Sequence, residues 1–124
     1  MKVYVLGNPD VDIDSVPLKL LPKLEEKFPE INFIHFDPTE DIDIVDKHLI
    51  IIDTVLSLNK VTQFNDLNQW TISPRISLHD FDLPLFLGLL KKLGKVKKIT
   101  IIGIPEKGNS KKMLLDVTKF LKDI

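Results

Sequence analysis

The sequence predicts an α/β fold, a three-layer α/β/α sandwich with a mostly parallel central sheet. Continuous apolar runs predict strands that are buried on both faces, at residues 2–6, 31–36, 48–53 and 97–104. Helical patterns alternate with these runs, at residues 14–28, 82–93 and about 109–122. Strands that alternate with helices form a parallel sheet, and the crossover helices then cover both of its faces.

Length and composition set the class of protein. The 124 residues suit one domain spanning 1–124, with 44% hydrophobic and 28% charged residues. A net charge of -1 argues against a nucleic-acid partner. Without cysteine, a metal site has to use Asp, Glu, His or backbone oxygen. The apolar runs are too short to cross a bilayer and no signal peptide opens the chain, so we expect a cytoplasmic monomer without membrane insertion.

The first helix has a capping signal and a breaker. Asp14 or Ser15 can cap it, and Pro17 falls in the first turn, where a missing N–H costs little. Pro22 is expected to kink the helix, at about 3 kcal/mol if nothing compensates.

The second half of the chain carries weaker strands and two clear helices. Residues 60–64 and 71–77 predict weak strands, and Pro74 pushes the latter to an edge. Gly94 predicts the end of the helix at 82–93. In the last helix one apolar stripe is expected to face the core, at Met113, Leu114, Val117, Phe120 and Leu121.

Ligands of such folds gather beyond the carboxyl ends of the strands, and three residues there suit a divalent ion. Asp14 follows the first strand, Asp53 directly follows "LIII", and His79 lies in the loop before the helix at 82–93. Two carboxylates and an imidazole favour nickel, zinc or a similar ion over magnesium. Each residue also has a simpler explanation: a helix cap for Asp14, a turn residue for Asp53 and a loop histidine for His79.

The other polar residues are assigned supporting or structural positions. Asp10 and Asp12 would raise the local negative potential rather than bind a metal. His35 is expected on a covered face of its strand, and His48 at the solvent-side start of the next strand. The chain has no P-loop, no G-x-G-x-x-G and no G-x-S-x-G nucleophile elbow.

Three blocks of the sequence resemble the nickel–iron hydrogenase maturation endopeptidases. They are "VLGNPDVDIDSVPLKLLPKL", "LIIIDTV" and "ISLHDFDLPLFLGLLKKLGKVKKITIIGIPE", in the family's order. The resemblance implies removal of the C-terminal extension from a hydrogenase large-subunit precursor after nickel insertion. It also implies that Asp14, Asp53 and His79 contact the metal. The nickel would be supplied by the precursor, so the purified protein need not carry a metal, and no catalytic nucleophile is identified.

The sequence departs from the family pattern at three points. "FDPTED" at residues 36–41 replaces the usual Gly-Gly-Thr turn, and Asp14 replaces a common Glu. The first Gly of the usual Gly-x-Gly-Asn is missing, and Leu6 precedes Gly7. With these departures, the chain resembles a divergent, archaeal-like member of the family. Two alternatives stay open: a non-proteolytic metal-checkpoint or binding protein on the same fold, and another metal-dependent hydrolase.

Overall fold

The computed structural model describes residues 1–7, 10, 15–35, 46–55, 58–65 and 83–124. Within these ranges the strands are β1 (Lys2–Val5), β2 (Asn32–His35), β3 (Asp46–Thr54), β4 (Thr62–Phe64) and β5 (Val96–Ile104). The helices of the same ranges are α1 (Val16–Lys27), α2 (Leu83–Lys92) and α3 (Ser110–Asp123). None of these helices has both the length and the apolar content that a membrane crossing requires.

The strands form a mostly parallel sheet with the order β2-β1-β3-β5-β4. Strands β3 and β5 are its centre, paired in parallel from Asp46 opposite Val96 to Thr54 opposite Ile104. Strand β4 pairs with β5 in the antiparallel sense and closes one edge, while β2 lies at the other. Strands β1, β2, β3 and β5 therefore end at the same edge of the sheet, which we call the carboxyl edge.

Each face of the sheet carries its own apolar cluster, because successive side chains of a strand point to opposite faces. One cluster joins α2 to the sheet through Tyr4, Leu49, Ile51, Leu87, Leu90, Ile99 and Ile101. The other joins α1 and α3 to the opposite face through Val3, Val5, Leu20, Leu24, Ile50, Ile52, Ile102, Met113, Val117 and Leu121. Full burial of one such side chain contributes about 1.5–3 kcal/mol. The predicted three-layer α/β/α arrangement is confirmed.

The predicted elements agree with the structure to within about two residues, except at a few informative places. Strand β4 spans three residues instead of five, and the predicted strand at 71–77 lies outside the described residues. Helix α1 continues through Pro22 to Lys27, and Pro22 lies on its exposed side. Ser15 occupies the N-cap position, but its side chain makes no capping hydrogen bond, so capping by Ser15 was a wrong expectation.

Local sequence determines where α2 ends and where α3 begins. Gly94 adopts a φ of 77°, which glycine tolerates best, and its N–H donates to the Lys91 carbonyl at 3.1 Å. Asn109 caps α3, since its side-chain oxygen accepts from the N–H groups of Lys111 and Lys112 at 2.9 and 3.3 Å. The β5–α3 connection is thereby held at the carboxyl edge.

Candidate functional site

Asp53 is the predicted metal ligand that the structure describes, and it lies at the carboxyl edge. It is the second-last residue of β3, and only 6% of its surface is exposed. The Thr54 N–H donates to its Oδ1 at 2.8 Å, which orients the carboxylate. By strand alternation Asp53 shares a face with Ile51 and Val55, which belong to the cluster under α2. A buried carboxylate at the end of a central strand is expensive to desolvate and therefore a candidate for function.

The neighbour of Asp53 on β5 is Gly103, and the packing around this glycine is tight. A Cβ on Gly103 would lie 3.0 Å from side-chain atoms of Phe64 and Val55 and 3.1 Å from Leu58. Gly103 therefore lets β4 and the β3–β4 connection pack closely beside Asp53. The sequence does carry a signal for this glycine, since it lies inside the apolar strand "ITIIGI", and a glycine inside a strand often marks a close approach.

Thr54 adds an unusual buried group next to Asp53. Its side chain is fully buried, and its Oγ1 has no hydrogen-bond partner among the described residues. Thr54 lies opposite Ile104 of β5 and so faces the side of α1 and α3. Leaving a buried hydroxyl unpaired costs about 1–3 kcal/mol. Stability alone does not explain a threonine at this position.

Asp14 and His79 lie outside the described residues, so their predicted convergence with Asp53 stays a prediction. The replacement for the glycine turn, residues 36–41, lies outside them too. Within the described part of the chain, no three His, Asp or Glu residues are grouped so that they could hold a metal ion. The site as described thus consists of one oriented carboxylate and its surroundings.

His35 brings an imidazole to the carboxyl edge that the sequence analysis did not anticipate. It was expected on a covered face, but β2 is an edge strand and His35, its last residue, is exposed. Its Nε2 lies 3.0 Å from the carbonyl oxygen of Gly7, the second residue after β1. The expected burial was wrong because strand order, which decides whether β2 is central, depends on pairings between distant segments.

His48 belongs to a different part of the sheet. It is the third residue of β3, near the amino end, where it is partly buried and its Nε2 lies 2.7 Å from Thr100 Oγ1. Desolvation, and to a smaller extent the neighbouring Lys98 ammonium, lower the pKa of His48. Thr100 Oγ1 also lies 3.5 Å from Asn65 Oδ1, which accepts from Gln63 Nε2 at 2.7 Å. We call these four residues the polar chain; it links β3, β5 and the end of β4.

A basic cleft lies beside the N-terminus of α3. It is an open cleft with a volume of about 40 Å³ between the β3–β4 connection and the β5–α3 loop. Its lining includes three lysines, one carboxylate and the capping amide, namely Lys60, Lys107, Lys112, Asp116 and Asn109. The cleft could not be predicted from the sequence, because Lys60 is far from the other lysines along the chain.

Comparison with known proteins supports the fold alone. No protein-family model matches the chain. No curated protein matches it either. The chain is similar in structure to an uncharacterized protein from Wolinella succinogenes, solved by crystallography, with a TM-score of 0.62 and 13% sequence identity. The similarity covers 98% of this chain and 94% of the other. At this identity it confirms the α/β architecture and carries no information on activity.

Proposed function

We propose that this protein is an endopeptidase that removes the C-terminal extension of a nickel–iron hydrogenase large-subunit precursor after nickel insertion. The observation that carries the proposal is the placement of Asp53. It is buried at the carboxyl end of β3, oriented by the Thr54 N–H, at the position where the resembling family has a metal-binding carboxylate.

The arrangement of the three resembling blocks supports a common site. The first block begins at Val5, the last residue of β1, and runs into α1, and the second contains the end of β3, so both reach the carboxyl edge. In the third block, α2 joins the amino end of β5 through only three residues, so the helix starts toward the opposite edge. His79 precedes α2 by four residues, which favours its approach to Asp53.

The proposed chemistry follows from the ligand atoms that the three predicted metal-binding residues would offer. Asp53 and Asp14 would supply oxygen and His79 nitrogen to a nickel ion that arrives inside the precursor, and such a set leaves coordination positions open. Nickel held there would polarise the scissile carbonyl for attack by water. The role of this chain is then to recognise the loaded metal centre and to hold the cleavage site beside it.

The runner-up is a metal-checkpoint protein that binds the loaded precursor without cutting it. It is favoured by one observation, the replacement of the family's Gly-Gly-Thr turn by "FDPTED". If that turn engages the substrate chain for cleavage, its loss would leave recognition intact and abolish hydrolysis. The two functions predict the same complex with the precursor and differ only in whether the precursor's mass changes.

The proposal is tested by incubating the purified protein with precursor that has or lacks nickel and recording the mass of the product. We expect loss of the extension only from the nickel-loaded precursor, and no loss with the His79→Ala variant. His48→Gln is the matched control, because His48 lies near the amino end of β3, away from the site. A stable complex without a mass change would favour the checkpoint protein. Equal cleavage of both precursors would contradict the role of nickel.

A further inference from the structure

The basic cleft beside α3 brings together lysines from segments that are distant in sequence. Lys60 belongs to the β3–β4 connection, whereas Lys107 lies in the β5–α3 loop and Lys112 in the first turn of α3. All three are exposed, and within the described part of the chain none of their ammonium groups makes an ion pair or a hydrogen bond. Like charges around one opening repel each other and do not stabilise the fold, so their convergence favours an anionic ligand.

The charge of the lining indicates how many negative charges the ligand carries. Asp116 also lines the cleft, one helical turn after Lys112, and it is partly buried. Three ammonium groups and one carboxylate leave a local charge of two positive units, in a chain whose net charge is -1. A ligand with two negative charges would neutralise this lining.

The size of the cleft limits the ligand to a small group. Its volume is about 40 Å³. A single water needs about 10–15 Å³ of such space, so the cleft has room for a few heavy atoms but not for a sugar or a base. Because the cleft is open to solvent, the rest of a larger ligand could remain outside it.

The end of α3 contributes little to this attraction. The N–H groups of Lys111 and Lys112 already donate to the side-chain oxygen of Asn109, so the lysine side chains carry the effect. The loop that presents Lys107 depends on Gly108, which has a φ of 144° in the region that glycine favours.

We propose that the basic cleft binds a phosphate dianion, either inorganic phosphate or the terminal group of a small phosphate ester, through Lys60, Lys107 and Lys112. Each ammonium group offers three donors and the phosphate oxygens accept, in hydrogen bonds strengthened by both charges. The site is separate from the proposed endopeptidase site. Val61 and Met113 of its lining belong to the cluster under α1 and α3, whereas Asp53 faces α2.

The inference is tested by nuclear magnetic resonance on ¹⁵N-labelled protein, titrated with inorganic phosphate, glycerol 3-phosphate or acetate at constant ionic strength. We expect both phosphates to shift the backbone amides of Lys60 and of residues 107–110 with one saturating curve, and acetate to bind more weakly. Tighter binding of the ester would identify esters as the ligand, and equal binding would show that the phosphate group alone is recognised. Shifts that do not saturate, or acetate binding as tight as phosphate binding, would overturn the proposal.

Variants that change one charge provide the second measurement. Lys60→Gln and Lys112→Gln should each weaken phosphate binding by about two- to fivefold, and Asp116→Asn should strengthen it by a similar factor. Lys27→Gln is the matched control, because it removes the same charge from the last turn of α1, outside the cleft. Since these lysines are exposed, circular dichroism should show parental folding of their variants. Equal affinities of Lys60→Gln and Lys27→Gln would contradict the site.

One further variant separates this proposal from the proposed function. Asp53→Asn should abolish precursor processing and leave the affinity for phosphate unchanged. If the cleft binds phosphate while the precursor is never cut, the endopeptidase proposal fails and the phosphate site stands. If the precursor is processed while phosphate shifts no amide of the cleft, the reverse holds.

Discussion

The polar side chains at the two ends of strand β3 differ in their hydrogen bonding. Near the amino end, His48 and Thr100 satisfy each other at 2.7 Å, and Asn65 and Gln63 extend the contact to β4. At the carboxyl end, Asp53 is buried, and the fully buried Thr54 hydroxyl has no partner among the described residues. Since an unpaired buried hydroxyl such as that of Thr54 weakens a fold, the carboxyl end is the candidate for the proposed binding role, whereas the paired groups near the amino end contribute to stability.

The largest effect should come from Asp53→Asn. The amide keeps the shape of the side chain and an oxygen that can accept from the Thr54 N–H, but it lacks the negative charge that a metal requires. Processing of nickel-loaded precursor should fall by about 100-fold or more, which corresponds to about 2.7 kcal/mol. Initial rates from mass spectrometry measure it.

His48→Gln is the control for that experiment at the other end of β3. It should process precursor at the parental rate. If Asp53→Asn also retained that rate, the carboxyl end of β3 would not be the functional end.

Gly103→Ala should be the next largest change, and it acts on stability. The added methyl would lie about 3.0 Å from Phe64 and Val55, and such overpacking costs about 1–3 kcal/mol. Urea unfolding measures the loss. Gly88→Ala is the matched control: among the described residues nothing lies within 4 Å of a Cβ placed there, and Gly88 lies inside α2, so the change should stabilise the protein by about 0.4–1 kcal/mol. Equal stability of the two variants would show that the close packing beside Asp53 is unimportant.

Thr54→Val should raise stability, whereas Thr100→Val should lower it. Valine has nearly the shape of threonine and removes the hydroxyl, which is unpaired among described residues at position 54 and bonded to His48 at position 100. We expect a change of about 1 kcal/mol in each direction from urea unfolding. A loss of stability in Thr54→Val would mean that its hydroxyl has a structural partner, and the contrast between the two ends of β3 would weaken.

The smallest effect should be a pH dependence from His48. Its pKa is lowered in the folded protein, mainly by desolvation, whereas in the unfolded chain it is about 6.5. As the pH falls below 6.5 the unfolded state binds a proton first, so the free energy of unfolding should decrease until the folded-state pKa is passed. Above pH 6.5 this contribution to stability is fully present. His48→Gln should remove that part of the slope, and an unchanged slope would contradict the assignment.

Local periodicity was enough to predict most of the fold. Strands β3 and β5 read as continuous apolar runs because both of their faces are covered, and α3 has a stripe that packs on the sheet. The antiparallel sense of β4 and the edge position of β2 could not be predicted. Both depend on which strands pair, and pairing is decided by contacts between segments that are distant in sequence.

The candidate site was also predicted only in part, because local sequence patterns identify some of its residues and long-range contacts place the others. Asp53 was identified because a polar residue directly follows an apolar strand, and it does lie at the carboxyl edge. The exposed position of His35 was not predicted, since it follows from the edge position of β2, and its contact with Gly7 joins residues that are 28 positions apart. Asp14 and His79 lie outside the described residues and stay predictions.

An endopeptidase of the proposed kind cuts its precursor only after the nickel has arrived. The most direct test mixes nickel-loaded and nickel-free precursor in one tube, with one of them isotope-labelled so that a single mass spectrum follows both. We predict that the loaded precursor loses its extension while the free precursor keeps its full mass. Cleavage of both at the same rate, or of neither while the protein is folded, would contradict the account.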